Sequence, residues 1–268
     1  MANDTAFAGS IPEIYDRNLV PLIFEGYARD MAVRVSSRNP RDILEVAAGT
    51  GVVTRAIAAA LPDAKIIATD LNQPMLDRAA TQQPRGGNVT WQQANAQALP
   101  FEAESCDAVL CQFGAMFFPE RRLAYGEAYR VLRPRGRYIF NVWDEISEND
   151  FADVLTSALA ARYPKDPPRF LARTPHGYHD PDTIFADAAA AGFTEISIDT
   201  VNEKSIAQTP LDAVIGYCQG TPLRSEIEAR DPNGLAEATN IAANAIEKRF
   251  GRGPVEGRLR ALVITAKR

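Results

Sequence analysis

Short apolar runs alternate with helix-like stretches along the first half of the chain. The segments between the runs are rich in alanine or begin with proline, as helices often do. This alternation predicts a parallel sheet covered by helices on both faces. The predicted strands are residues 42–46, 65–69, 89–93, 108–111 and 138–143, and the predicted helices are residues 52–61, 74–81 and 119–132.

The second half of the chain predicts helices inserted between two more strands. Apolar residues within 151–159 recur at helical spacing, which indicates an amphipathic helix. Residues 196–201 alternate between apolar and polar, as in a strand with one exposed face. The other predicted elements are a loop rich in Pro and Arg at 163–178, a helix at 181–191, a mostly helical stretch at 211–256 and a last strand at 259–265.

A glycine-containing loop follows the first predicted strand, at the edge where parallel sheets bind their ligands. Gly49 and Gly51 in this loop allow a tight turn and a close approach of the backbone to a ligand. Asp70 ends the second strand, 19 positions beyond Gly51. A carboxylate there can accept hydrogen bonds from both hydroxyls of a ribose. The glycine-containing loop, its spacing to the second strand and the carboxylate of Asp70 together predict a cofactor that contains a nucleoside.

The charges around the loop narrow the choice of cofactor. A nicotinamide dinucleotide favours a third glycine where this chain has Val52, and phosphates would meet the carboxylate of Glu45. The chain also lacks the phosphate-binding pattern of nucleoside triphosphatases. S-adenosylmethionine, with its ammonium and sulfonium groups, fits an acidic strand end better. A nicotinamide-dependent reductase stays open as a less favoured alternative.

Residues 43–51 (ILEVAAGTG) resemble the first motif of the class I S-adenosylmethionine-dependent methyltransferases. The resemblance extends over residues 42–144 and is to the type that acts on small molecules in ubiquinone and menaquinone biosynthesis. Four further segments agree with it: 67–76 (IATDLN, then Met75 and Leu76), 94–101 (ANAQALPF), 113–119 (FGAMFFP) and 131–136 (VLRPRG).

The resemblance, together with the predicted strands, implies a Rossmann-like α/β fold. We expect a seven-stranded, mostly parallel sheet whose last strand is antiparallel, with helices on both faces and helical lid insertions. Residues 1–268 are interpreted as one methyltransferase domain. Its expected parts are a core at 41–144 and 181–206 with 257–268, and lid segments at 11–30, 151–178 and 207–256.

The resemblance also assigns roles to individual positions. The loop backbone would lie against the methionine part of the cofactor, Glu45 near its amino group and Asp70 on the ribose hydroxyls. The expected cofactor-binding residues are Tyr15, Glu45, Ala47, Ala48, Gly49, Gly51, Asp70, Leu71, Asn95, Ala96 and Gln112.

Two positions depart from the family pattern. The family usually has Gly in place of Ala47 and Asp in place of Asn95. The added methyl group narrows the space for the cofactor, and an amide accepts hydrogen bonds without a charge. These departures leave open an alternative function, a protein that binds S-adenosylmethionine without catalysis.

The sequence does not identify a catalytic base. His176, His179, Tyr178 and Tyr15 are the residues considered for it, because imidazole titrates near neutral pH and a phenol can exchange a proton. The chain has two histidines, and a pair of histidines falls short of the three or four ligands of a metal site. No metal is therefore expected.

Composition and charge limit the partners. Asp and Glu outnumber Lys and Arg by 34 to 29, so the formal net charge is -5 and nucleic acid is not an expected partner. The longest apolar runs are too short to span a membrane, and the first ten residues lack the features of a signal peptide. An odd number of cysteines, three, indicates reduced thiols. We expect a cytoplasmic enzyme with a small-molecule methyl acceptor; the oligomeric state is left open.

Overall fold

In the computed structural model, which describes residues 4–83 and 87–268, seven strands form one sheet in the order β3-β2-β1-β4-β5-β7-β6. The strands are β1 Asp42–Glu45, β2 Lys65–Asp70, β3 Val89–Gln93, β4 Cys106–Gln112, β5 Leu132–Trp143, β6 Thr194–Ala207 and β7 Val255–Lys267.

The first five strands are parallel and the last strand runs against its neighbours. β1 pairs in parallel with β2 and β4, and the outer pairs β2–β3 and β4–β5 are parallel as well. At one end of β7, Arg268 accepts a hydrogen bond from the backbone N–H of Arg135, and at the other end Arg260 accepts one from Asp144. β7 therefore runs antiparallel to β5, and the predicted fold class is confirmed.

Helices connect most of the strands and make up much of the second half of the chain. Asp180 and Thr209 cap two of them through their side chains, each directly before a proline in the first turn. The helices are α1 Ile11–Ile14, α2 Glu25–Ser36, α3 Val52–Ala60, α4 Gln73–Gln82, α5 Arg121–Val131, α6 Asp150–Arg162, α7 Phe170–Arg173, α8 Pro181–Ala190, α9 Pro210–Gln219, α10 Leu223–Arg230 and α11 Leu235–Phe250, with a π-helix at Tyr15–Phe24 and 3-10 turns at Ala115–Phe117 and Ile146–Glu148.

The structure corrects several predicted element ends. The expected loop at 163–178 contains the short helix α7, and the helical stretch expected to reach 256 ends at Phe250, before β7 begins. β5 begins at Leu132, where a helix was expected to continue, because Leu132 pairs with Cys106 of β4. The pairing then shifts register before Arg137, so residues 133–136 form an irregular step in the strand.

The chain divides into two compact units. The sheet unit comprises Glu25–Val142, Tyr178–Val201 and Ala261–Arg268; the helical unit comprises the N-terminal segment through Phe24, Trp143–Gly177 and Asn202–Arg260. Most of the predicted lid residues belong to the helical unit, and the assignment of core and lid stays a prediction. Residues 1–3 and 84–86 of the predicted domain lie outside the described residues.

Each unit has its own packing. In the sheet unit, α2 and α3 bury Met31, Val35 and Ile57 against strand residues such as Ile43 and Ile66. In the helical unit α9 lies close to the π-helix. This is seen at Gly216 and Gly220, where an added side chain would collide with the backbone of the π-helix. No helix among the described residues is long and apolar enough to cross a membrane.

Candidate functional site

The loop after β1 is held between the two neighbouring strands. The N–H of Val46 donates to Leu110 of β4 at 2.8 Å, and the N–H of Ala48 donates to Thr69 of β2 at 2.8 Å. Ala47 and Gly49 have positive φ angles of 55° and 57°. The tight turn that the glycines predicted is therefore present, although one of its left-handed positions is an alanine.

Gly51 closes the loop and begins α3. Its φ is 79°, and a Cβ atom there would lie 2.5 Å from the ring of Trp91. Both the backbone angle and the close contact require glycine at this position. Gly49 differs, since an added Cβ would meet only the end of Met75, at 3.6 Å. The space beside Gly49 therefore leaves room for a ligand atom to approach its backbone.

Asp70, at the end of β2, binds the loop directly. Its Oδ2 accepts from the N–H of Gly49 at 2.9 Å, and its Oδ1 accepts from the N–H of Asn72 at 2.8 Å. Burial raises the pKa of Asp70, and these amide donors oppose that rise. The side-chain amide of Asn72 also donates to Oδ1, at 3.4 Å. An ionised carboxylate offers about four lone-pair sites, so Oδ2 keeps capacity for a further donor.

Glu45 lies beneath the same loop, with 1% of its surface exposed. The hydroxyl of Thr54 donates to its Oε2 at 2.6 Å. Burial raises the pKa of Glu45 to about 8, although the Thr54 hydrogen bond opposes the rise. A cation that approached this carboxylate would favour its ionised form, so the site is suited to a ligand with an ammonium group.

The other predicted contacts surround these two acids. Leu71 is 49% exposed although it is large and apolar, so it offers a surface for a flat ring. Asn95 is exposed, and its Oδ1 accepts from the N–H of Gln97 at 2.9 Å. Ala96 is half-buried beside it, and Gln112 is buried at the end of β4, next to β1. All of these residues belong to the sheet unit.

Two unpredicted residues shape the end of β4. Asn141 is buried, and its side-chain Oδ1 accepts from the N–H of Phe113 at 2.9 Å, where the chain turns with a φ of 51°. Gly114 lies against the loop, since an added Cβ would be 2.5 Å from the Cβ of Ala47. The methyl group that distinguishes Ala47 from the family glycine is thus accommodated by Gly114.

The residues considered for a base lie in both units. Tyr15 and His176 belong to the helical unit, whereas Tyr178 and His179 belong to the sheet unit. His176 is buried, and its Nδ1 is 2.9 Å from the carbonyl oxygen of Asp144. A carbonyl can only accept, so Nδ1 of His176 carries a proton in this contact.

Tyr178 is part of a buried phenol network. Its hydroxyl donates to Oδ2 of Asp187 at 3.0 Å and accepts from the hydroxyl of Tyr125 at 3.4 Å. The guanidinium of Arg121 lies 4.1 Å from the centre of the Tyr178 ring. Burial raises the pKa of Tyr178 far above neutral, so this phenol holds its proton firmly.

Comparison with known proteins decides the family. Residues 44–140 match the family described as a methyltransferase domain. The demethylmenaquinone methyltransferase of Thermus thermophilus is 31% identical over 172 residues, which are 59% of this chain and 76% of that protein. The chain belongs to the class I S-adenosylmethionine-dependent methyltransferases. S-adenosylmethionine is the methyl donor of this family.

A second relative agrees with this methyltransferase assignment, and a solved structure shares the fold. The ubiquinone/menaquinone biosynthesis C-methyltransferase of Syntrophotalea carbinolica is 41% identical over 113 residues, 41% of this chain. That match spans about half the length of the relative, 46%. The YcgJ protein of Bacillus subtilis has the same fold, with a TM-score of 0.58 and 19% identity over 91% of this chain and 98% of that one.

Sequence reasoning missed Thr54, Asn141 and Gly114 as parts of this candidate site. Thr54 is nine residues from Glu45 and reaches it only because α3 folds back over β1. Asn141 of β5 binds Phe113, and Gly114 lies against Ala47, only because the strands around them pair in the folded chain, which no local pattern encodes. The polar residue in the middle of the apolar run 138–143 was the one available signal for Asn141.

Proposed function

We propose that this protein transfers the methyl group of S-adenosylmethionine to a small, partly hydrophobic acceptor. The observation that carries the proposal is the hydrogen bond from Gly49 to Asp70, at 2.9 Å, which joins the glycine loop to the acidic end of β2. This hydrogen bond holds a backbone turn next to a carboxylate. A ligand that consists of a nucleoside and an amino-acid tail needs both groups close together.

The residues of the sheet unit fit this cofactor. Asp70 accepts from the ribose hydroxyls with the lone pairs that the amide donors leave, and the exposed Leu71 packs on the adenine. Glu45 favours the amino group through charge, directly or through water. Its near-complete burial keeps that attraction strong, because few water molecules screen it. Asn95 and Ala96 meet the adenine edge, and Gln112 lies beneath the methyl group.

The bound cofactor supplies a methyl group on a cationic sulfur, which an acceptor displaces in line. The protein's task is to align the acceptor with that methyl group and to exclude water. Where the acceptor is a hydroxyl, a base must take its proton. The phenol of Tyr178 holds its proton firmly, so it is a poorer base than the other residues considered, His176, His179 and Tyr15.

The relatives support a partly hydrophobic acceptor. Their names place them in ubiquinone and menaquinone biosynthesis, whose intermediates combine a polar ring with an apolar tail. The net charge of -5 disfavours nucleic acid as the methyl acceptor. A quinol ring or another small aromatic compound with an apolar substituent is therefore the acceptor class that we propose.

An acceptor screen that reads release of S-adenosylhomocysteine tests the proposal. The panel contains a short-tailed demethylmenaquinol, catechols, aliphatic amines and a short RNA. We expect turnover with one hydrophobic small-molecule class, loss of that turnover in Asp70→Ala, and retention in Arg29→Gln, which changes an exposed residue outside the site.

Two results would count against the proposal. Turnover with the RNA alone would overturn the acceptor class. Calorimetry that shows tight binding of S-adenosylhomocysteine without turnover on any acceptor would favour the non-catalytic binding protein. Two observations support this non-catalytic function. Ala47 holds a strained φ of 55°, and the side chain of Asn95 already accepts a hydrogen bond from Gln97.

A further inference from the structure

A cationic pocket lies at the opposite end of β1 from the cofactor loop, within the sheet unit. Its volume is about 460 Å³, and its walls include Pro40 and Arg41 before β1 and the irregular step of β5 at residues 133–136. β1 spans four residues between this pocket and Glu45, which is roughly 13 Å of extended chain. The pocket is therefore separate from the cofactor loop.

The lining of this pocket is unusually positive for a protein with a net charge of -5. Seven Arg or Lys side chains line it, and Asp107 is the one acid among the described lining residues. The carboxylate of Asp107 is already engaged: it binds Arg133 at 2.6 Å and accepts from the backbone N–H groups of Arg41 and Asp42. Asp107 therefore cannot neutralise further cations.

Four of the seven cations have acidic partners. Arg34 binds Asp30 and Asp199, Arg133 binds Asp42 and Asp107, and Arg137 and Lys267 share Glu195. These pairs fix the wall of the pocket. They also hold the two segments of chain that carry the remaining cations.

Arg38, Arg41 and Arg135 are the remaining three. All three are exposed, and within residues 4–83 and 87–268 none forms an ion pair. Arg38 and Arg41 come from the turn after α2, and Arg135 comes from the step in β5, so two separate parts of the chain bring like charges to one cavity. Like charges held together in this way favour an anion between them.

The floor of the pocket is apolar. Val35 and Ile139, 2% and 4% exposed, line it together with Pro40. A cavity of this volume lies in the range of small-molecule sites, about 300–1,000 Å³. Guanidinium groups match phosphate oxygens with paired hydrogen bonds. A rim of guanidinium groups above an apolar floor suits a molecule that has both a phosphate and an organic body.

We propose that this pocket binds a small organic phosphate ester at a site separate from methyl transfer. The phosphate binds between Arg38, Arg41 and Arg135, and the organic part lies on Val35 and Ile139. The volume of the cavity is typical of small-molecule sites, which favours a small molecule over an acidic protein segment.

Titration with phenyl phosphate, in the presence of saturating S-adenosylhomocysteine, tests the proposal. The second compound excludes binding at the cofactor loop. We expect saturable binding that weakens with added salt, and amide chemical-shift changes confined to residues 38–41 and 133–139. Arg38→Gln and Arg135→Gln should each weaken binding about tenfold, as loss of a charge-assisted hydrogen bond does.

Arg29→Gln is the matched control, because Arg29 is an exposed arginine of the same helix as Arg34 and lies outside the pocket. It should leave binding unchanged. The proposal is overturned if Arg29→Gln weakens binding as much as Arg38→Gln, or if phenol binds as tightly as phenyl phosphate. Shifts in residues 46–51, or no saturation at millimolar ligand, overturn it as well. Thermal melting of each variant shows that it is folded, since the changed side chains are exposed.

Discussion

Asp70 links the backbone of the cofactor loop to the proposed ribose site. The same carboxylate that accepts from Gly49 at 2.9 Å is expected to accept from the cofactor hydroxyls. Its substitution therefore removes both a ligand contact and an anchor of the loop.

We predict that Asp70→Ala weakens binding of S-adenosylhomocysteine by about 2 kcal/mol, since hydrogen bonds to a charged group contribute ~1.5–3 kcal/mol. Asp70→Asn, which keeps one acceptor oxygen, should lose less. Calorimetry on both variants gives the dissociation constants, and circular dichroism shows that they are folded. An unchanged dissociation constant in folded Asp70→Ala would leave Asp70 with a structural role alone.

The raised pKa of Glu45 predicts a pH dependence of protein stability that comes from this one residue. Burial raises its pKa to about 8, so the folded protein keeps a proton that the unfolded chain releases above a pKa of about 4.3. The contribution of Glu45 to the free energy of unfolding therefore falls as the pH rises from about 4.3 to 8. Glu45→Gln should flatten this slope, and urea unfolding at several pH values measures it.

The raised pKa of Glu45 also predicts that a proton is released when the cofactor binds. An ammonium group near Glu45 favours its ionised form, so binding of S-adenosylhomocysteine between pH 6 and 8 should release a proton and tighten as the pH rises. Calorimetry in two buffers with different ionisation enthalpies measures the release. A release that persists in full in Glu45→Gln would show that another group supplies the proton.

At the scale of single residues, the acids were predictable and their partners were not. Glu45 and Asp70 stand at strand ends beside a glycine loop, a pattern that is visible in the sequence. Thr54 and Asn141 contribute through contacts across strands and helices, which depend on the folded arrangement. The same is true of the unpaired arginines, since the sequence does not show that Arg38 and Arg135 line one pocket.

At the scale of elements, the loop after β1 and the end of β4 fit each other through small side chains. Ala47 has a positive φ of 55°, which costs an L-residue roughly 1–2 kcal/mol. An added Cβ at Gly114 would lie 2.5 Å from the Cβ of Ala47 and 2.8 Å from Sγ of Cys111. The two elements therefore tolerate one methyl group between them.

We predict that Gly114→Ala lowers the free energy of unfolding by about 1–3 kcal/mol, the usual cost of overpacking. The double variant Ala47→Gly with Gly114→Ala should recover part of the loss, because it keeps one methyl group and removes the left-handed alanine. The Cys111 contact prevents full recovery. Chemical denaturation of the parent protein, the two single variants and the double variant gives the coupling free energy between the two positions. Strictly additive effects would mean that Ala47 and Gly114 do not share this space.

Strand interiors were predictable at this scale and strand ends were not. The apolar runs gave all seven strands, because buried strands need continuous or alternating apolar residues. β5 extends back to Leu132 through Pro134 and Gly136, residues that read as a turn, because β4 offers a partner on that side. Pairing with a neighbour, rather than local preference, decides where such a strand begins.

At the scale of the whole molecule, the helical unit contains most of the predicted lid residues. The predicted lid segments are 11–30, 151–178 and 207–256. The last of them carries an apolar stripe at helical spacing, Leu235, Ala238, Ala242, Ala245 and Ile246, of which Ala238, Ala242 and Ile246 are buried in α11. The lid role stays a prediction.

Hydrogen exchange tests the lid. With S-adenosylhomocysteine and an acceptor bound, we predict increased protection in residues 151–178 and 211–250, since lids are mobile when empty. The cofactor product alone should protect residues 45–51 and 70–76 more than the lid. If acceptor adds no protection to 151–178 or 211–250, these segments do not close over it.

The most direct test of the cofactor site is nuclear magnetic resonance of the labelled protein titrated with S-adenosylhomocysteine. We predict saturable shifts of the amides in residues 46–51, 70–72 and 95–96 and of Gln112, with much smaller shifts in residues 38–41 and 133–137. No saturable shift at millimolar ligand, or shifts confined to residues away from the loop and Asp70, would contradict the proposed S-adenosylmethionine site.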